Sequence, residues 1–247
     1  ARREAFLKLI KDNKTKHIFI QGLEGSSIAL FFSNLLEHKQ AHIIIANDLD
    51  EAGYLYNDLV QINGNDHILL FPSGYKRDIK YGQPDPPSEI LRTEVLNRLC
   101  QKGESLLIVT YPEAIAEKVV PVNMLSEQTL HIDKNSKCDI ITLSDKLRER
   151  GFEEVDYVYE PGQFAVRGSI LDVFSYTNEL PYRIDFFGKE VESIRTFEVE
   201  TQLSIGKLEE VYIVANVCGQ EASGISILDF IDKNTILICH NLSWVID

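Results

Sequence analysis

The chain has 247 residues, enough for one large domain or two modest ones, each with a real core. Its 44% hydrophobic and 26% charged residues are those of an ordinary soluble globular protein, and no apolar run approaches the roughly 20 residues of a membrane span. A net charge of −13 repels phosphate backbones, so the surface as a whole is a poor nucleic-acid binder unless basic residues cluster locally.

Over residues 1–120 short apolar runs alternate with amphipathic stretches. His17–Gln21 is a predicted strand, followed by a Gly-containing turn and a helix from about Ser26 to Glu37. His42–Ala46 is a second strand. Asp48, with Glu51 three residues on, caps a helix carrying Ala52, Leu55, Leu59 and Ile62 at helical spacing. His67–Phe71 and Leu106–Thr110 are further strands. Between them lie a Pro/Gly/Tyr-rich loop, Pro72–Pro87, and a helix that Ser88 can cap, with Leu91, Val95 and Leu99 on one side. This alternation implies a doubly wound, mostly parallel α/β sheet.

After about Pro121 the texture changes. A short helix, Ser144 to Arg150, precedes strands of period two. Phe164, Val166, Ile184 and Phe186 fall on the inward parity, and Arg167, Arg183 and Phe187 on the open face. Gly188-Lys189 reads as a two-residue hairpin turn. Residues 121–213 therefore read as a small inserted α+β domain with an antiparallel sheet covered on one face. From 214 to 247 the helix-then-strand pattern returns, and the strand Thr235–Cys239 is expected to rejoin the first sheet. Cys100, Cys138, Cys218 and Cys239 form no CxxC pair, which fits the reduced thiols of a cytoplasmic protein; the six histidines are scattered, and no metal site is expected. The chain opens on Ala1 without a signal peptide, as expected of a fragment of something longer.

The first strand–turn–helix stands where such a sheet would hold nucleotide phosphates. The phosphate-binding pattern GxxxxGK[ST] needs a Gly for the backbone wrap, a Lys for the β/γ charge and a hydroxyl for magnesium. Its counterpart is Gly22-Leu23-Glu24-Gly25-Ser26-Ser27-Ile28-Ala29, in which Ser27 replaces the Gly, Ile28 the Lys and Ala29 the hydroxyl residue. Glu24 adds negative charge, so no ATP is expected here. By itself the segment reads as a tight turn made by Gly22 and Gly25. Ile236-Leu237-Ile238-Cys239 is followed by His240-Asn241 where a magnesium-binding strand would carry Asp-Glu.

The most distinctive text runs from Glu160 to Phe174, EPGQFAVRGSILDVF, and from Glu179 to Arg195, ELPYRIDFFGKEVESIR. It resembles the UvrB-like N-terminal module of the bacterial transcription-repair coupling factors (Mfd), whose pattern is EPGxFAxRGxxLDxF…ELPYRxDFFxxExxSxR. The broken phosphate loop, the Phe71-Pro72 loop, the Ile108-Val109-Thr110 strand and the overall spacing extend the resemblance along the chain. It implies a degenerate RecA-like sheet without a cofactor or catalytic residues, and an inserted domain that binds UvrA. By motif position the UvrA-contacting surface falls on Arg167, Arg183 and Phe187. The resemblance further implies a longer parent, an ATP-dependent DNA translocase and helicase-like hydrolase. Other parts of that parent would contact RNA polymerase and DNA and would mask the UvrA face.

From the residues alone, Arg183 could instead pair with Asp185 or Glu192 and Phe187 pack at a sheet edge; the resemblance favours the partner surface. Glu160–Glu200 holds four basic residues against eight acidic ones, which suits a protein partner better than DNA. The competing reading is a direct DNA-damage-binding module like UvrB itself, using Tyr75, Lys76, Arg77, Lys80 and Tyr81 of the 72–87 loop to stack on bases and meet phosphates. That loop reaches the next helix too soon to extend into a long hairpin.

Overall fold

The computed structural model describes residues 6, 8–10, 16–75, 85–101, 103–127, 129–134, 136–178, 180–216 and 224–239. It is a mixed α/β structure with parallel and antiparallel sheets. By internal contacts it divides into two compact units, residues 1–70, 103–111 and 234–247, and residues 71–102 and 112–233. The second unit takes in the 86–100 helix and the segment after residue 111.

The first unit contains α1 (Ser27–Phe32), a 3-10 turn (Ser33–Glu37), β1 (Ala41–Ile45), α2 (Leu49–Asn63), β2 (Ile68–Leu70), β3 (Leu106–Thr110) and, last in the chain, β12 (Ile236–Cys239). The four strands are parallel, in the order β12-β1-β3-β2. Ile43, Ile44, Ile45 and Leu106 to Val109 are all buried, which is why these strands read as unbroken apolar runs. The final strand does return to the first sheet: Ile236 lies opposite His42. The cap of α2 forms as expected, the Glu51 amide donating to Asp48 Oδ1 at 2.9 Å.

His17–Gln21 is not a strand. The chain passes through these residues without sheet pairing, and Phe19 is 93% exposed. β1 already has β12 on one side and β3 on the other, so residues 17–21 have no place beside it.

The second unit begins with α3 (Pro86–Cys100), α4 (Pro112–Ala116), α5 (Val122–Glu127), β4 (Thr129–Asp133) and α6 (Ile140–Glu149). Six strands follow: β5 (Glu153–Glu154), β6 (Gln163–Arg167), β7 (Ile170–Val173), β8 (Tyr182–Phe187), β9 (Glu190–Phe197) and β10 (Ser204–Leu208). They form one sheet in the order β10-β9-β8-β7-β6-β5, antiparallel except for β5 beside β6. β11 (Glu210–Val214) pairs with β4 as a separate ribbon, and α7 (Ile227–Phe230) closes the unit.

Two helix starts differ from expectation. Ser88 does not cap α3: the extended Asp85 before Pro86 occupies the cap position, and Ser88 Oγ donates to Asp85 Oδ2 at 2.6 Å. α6 begins at Ile140 rather than Ser144, because the Asp139 carboxylate accepts from the Thr142 amide at 2.7 Å. That bond holds the Asp139 carboxyl below its ordinary range. The hairpin turn is as read: Phe187 faces Glu190 across Gly188-Lys189, with Gly188 at φ 63°.

The main core joins the sheet to α6 and the β4–β11 ribbon. Leu143 and Leu147 of the helix and Ile132, Val211 and Ile213 of the ribbon pack on Phe164, Leu171, Ile184, Phe186 and Ile194. Burial in this core raises the Tyr182 hydroxyl to about 12. The opposite face of the sheet is not open. Val158, Ala165, Phe174 and Phe197 form a smaller cluster there, with Val155 and Val199 against it.

Cys100, Cys138 and Cys239 carry no disulfide, and burial pushes each thiol up. Cys218, most of the 72–87 loop and His240-Asn241 lie outside the described residues. Among the described residues no cluster of His, Cys, Asp and Glu could hold a metal ion, and no helix is long and apolar enough to cross a membrane.

Candidate partner-binding surface

Antiparallel register sets the surface on the smaller-core face. Directly opposite one another across the sheet stand Ala165, Asp172, Arg183, Arg195 and Lys207; the neighbouring row brings Arg167, Ile170, Asp185 and Ser193 together. Period-two alternation puts the charged members of both rows on one side of the sheet. These two rows gather Arg167, Arg183, Arg195 and Lys207 around Asp172 and Asp185, and Glu190 stands opposite Phe187 on the same face.

Asp172 is the centre. Its side chain has no exposed surface, and it receives both sequence-predicted arginines. Arg183 donates Nε to Oδ1 at 2.7 Å and Nη2 to Oδ2 at 2.8 Å; Arg167 Nη2 also donates to Oδ2. These bonds to Asp172 raise Arg183 above its ordinary range. Each arginine also reaches main chain: Arg183 Nη1 donates to the Gln202 carbonyl at 3.0 Å, and Arg167 Nη1 to the Asp156 carbonyl at 2.9 Å. Each guanidinium also lies over a ring, Arg183 over Phe197 at 4.4 Å and Arg167 over Tyr157 at 4.9 Å.

The structure thus places Arg167 and Arg183 together but not as free forks. Their side chains are 34% and 14% exposed. Neither Asp185 nor Glu192 is the partner of Arg183, because Asp185 is taken by Arg195 and by Ser193 Oγ at 2.7 Å. Phe187, at the end of β8 on the same parity, is 79% exposed and packs in neither core. Beside Arg167 an open depression of about 710 Å³ is lined by Glu154, Val155, Asp156, Tyr157 and Val166.

The sequence reading missed Asp172, Tyr157 and Gln202. Asp172 was within reach of it, since the tight β6–β7 hairpin already puts that residue across from Ala165, two residues along β6 from Arg167. Nothing in the text around Tyr157 or Gln202 announces that their loops fold back over the sheet.

At the 22–29 turn, Gly22 and Gly25 take φ of 83° and 53°, open to glycine at no cost. Ser27 Oγ donates to the Glu24 carbonyl at 2.7 Å and accepts from the Glu24 amide at 2.8 Å, so its hydroxyl is engaged within the turn. Ser26 has helical angles and makes no cap, Ile28 is half-buried, and Ala29 is buried. The α1 helix that follows has six residues.

This arrangement can be set against known proteins. Residues 130–217 match the UvrB interaction domain. The span holds every strand of the charged face, and it bears out the resemblance read from the Arg-Gly and Tyr-Arg text. Over most of its length the chain is also similar to transcription-repair-coupling factors. It is 31% identical to that of Bacillus subtilis (strain 168) over 199 residues, which is 80% of this chain and 17% of that protein. With the Escherichia coli (strain K12) protein it shares 28% over 195 residues, 78% of this chain and 17% of the relative. With the Haemophilus influenzae protein it shares 30% over 191 residues, 75% of this chain and 16% of the relative. The chain therefore spans about a sixth of the length of these relatives, and its UvrB interaction domain match falls within the second unit.

Proposed function

We propose that this chain is a non-catalytic adaptor segment of a transcription-repair-coupling factor. It binds UvrA through the charged face of its UvrB interaction domain and so recruits nucleotide excision repair to stalled RNA polymerase. The observation that carries this reading is Phe187: an aromatic ring 79% exposed, on the same sheet face as Arg167 and Arg183, inside the matched segment. Exposed aromatics beside arginine are the composition of binding hot spots. Along the two central rows four basic side chains meet two carboxylates, which suits a partner surface that presents carboxylates.

The rest of the longer protein, an ATP-dependent DNA translocase and helicase-like hydrolase, would supply the contacts to polymerase and DNA and mask the face until polymerase is engaged. The first unit is a degenerate RecA-like sheet, supported by its four parallel strands and by a turn at residues 22–29 that carries neither lysine nor arginine. On this reading the segment binds no cofactor and works in the cytoplasm. Residues 121–213 are inserted between 1–120 and 214–247, an order that the return of β12 to β1 supports.

Calorimetric titration of the 247-residue chain with purified UvrA, with and without nucleotide, tests the proposal. Phe187→Ala combined with Arg183→Ala should weaken binding strongly. Unchanged affinity in the double variant would sink it.

A further inference from the structure

Two loops fold back over the charged face, and one carboxylate connects them. The loop after β5 carries Val155, Asp156, Tyr157 and Val158; the turn after β9 runs from Glu198 to Leu203. Val158 is fully buried, and Val155 and Val199 pack on the same small cluster, so both loops share an apolar footing with Phe174 and Phe197. That footing is small. Polar clamps complete it: the Asp156 carbonyl is held by Arg167 and the Gln202 carbonyl by Arg183. Gln202 has a φ of 58°, the only positive value at a non-glycine among the described residues, in a turn that also closes through its own amide to the Glu198 carbonyl at 2.8 Å. The two arginines in turn owe their positions to Asp172, which has no exposed surface and accepts from both.

We propose that Asp172 is the positioning residue of this face: its single carboxylate fixes both guanidiniums and, through them, pins the 155–158 loop and the 198–203 turn onto the sheet. The exposed side chains these segments present, Tyr157 at 51% and Leu203 at 68%, are held in place by that pin. Arg167 and Arg183 then contribute to binding mostly by ordering the surface. This deepens the partner-binding reading and rests on it for the consequence in affinity, but the pin itself is a property of the chain alone.

Segment-resolved amide hydrogen exchange on the 247-residue chain, without any partner, reads the pin directly. Arg167→Ala is expected to speed exchange roughly tenfold in 155–158 and leave 198–203 unchanged. Arg183→Ala should do the reverse, and Arg183→Lys, which keeps the charge but loses the two-pronged bond, should match Arg183→Ala. Asp172→Asn should loosen both segments while α6 keeps its protection. Should Asp172→Asn fail to fold, the arginine variants decide, because each leaves the carboxylate one partner. Flat exchange in both segments, or equal loosening throughout the unit, overturns the pin. UvrA titrations separate the two ideas. If Phe187→Ala leaves affinity untouched while the exchange pattern holds, the partner reading fails and the pin stands. If exchange is flat while Phe187→Ala weakens binding, the pin fails and the partner reading stands.

Discussion

Arg183 meets Asp172 through two parallel hydrogen bonds of 2.7 and 2.8 Å, the arginine side chain 14% exposed and the aspartate side chain fully buried. Such a pair is worth most when judged by what its loss leaves behind. Asp172→Ala strands two cations in partial burial and should cost about 3–5 kcal/mol. Arg183→Ala leaves Asp172 with Arg167 and should cost less, and Arg167→Ala, at a more exposed position, about 1 kcal/mol. Urea midpoints of the three variants check the order; a loss for Asp172→Ala no larger than for Arg167→Ala contradicts it.

Phe187 offers the complementary case. Because its ring touches neither core, Phe187→Ala should leave stability within about 0.5 kcal/mol of the parent. UvrA affinity should nevertheless fall by at least about 2 kcal/mol, roughly thirtyfold. A melting curve beside the titration shows whether the two effects separate.

The pH dependence of the first unit should carry the mark of His42. Burial lowers this imidazole from 6.5 to about 4, with His38 adding to the shift. The unfolded chain takes up a proton near pH 6.5 that the folded chain refuses until about pH 4. Stability is thus fully present above the upper value and declines as pH falls between the two, by at most about 3 kcal/mol. His42→Leu should flatten that interval relative to the parent. Parallel slopes for the two proteins would refute the assignment.

Gly162 should tolerate no side chain. Its φ is 88°, its amide donates to the Phe174 carbonyl at 2.8 Å, and a Cβ there would sit 2.7 Å from Cζ of Tyr176. Gly162→Ala is expected to cost about 1–3 kcal/mol from the backbone alone, with the displaced tyrosine ring in addition. A denaturation midpoint indistinguishable from the parent would show that the loop yields more readily than its geometry implies.

The proposed loss of nucleotide binding predicts that ATP with magnesium at millimolar concentration produces no binding heat. The competing DNA reading predicts a tight, salt-sensitive gel shift at low ionic strength, which the adaptor reading does not. Heat on the first titration, or such a shift, would each count against the adaptor.

What was legible in the sequence follows from physics that is local. β1 and β3 could be read because buried parallel strands are apolar on both faces, and the Gly188-Lys189 turn because its geometry asks for glycine. His17–Gln21 has the same apolar look but forms no strand, since pairing is decided by which neighbours the sheet has left, and none of that is written in five residues. The start of α6 was hidden by Ile140, Ile141 and Thr142, β-branched residues that favour strands until Asp139 caps them. On the candidate surface, strand parity put Arg167, Arg183 and Phe187 on one face. It could not tell that Asp172 rather than Asp185 holds Arg183, because that depends on register across three strands.

The return of β12 to β1 has a consequence for how the chain comes to be folded. The ribosome releases β1, β2 and β3 long before their last neighbour, with the whole β4–β11 region in between. Until Ile236–Cys239 emerges, one side of β1 offers unpaired amides and carbonyls to any extended chain nearby, the situation that leads to aggregation. Translation that halts just short of residue 236 would leave the six-stranded sheet with all its strands, and the parallel one with a sticky border.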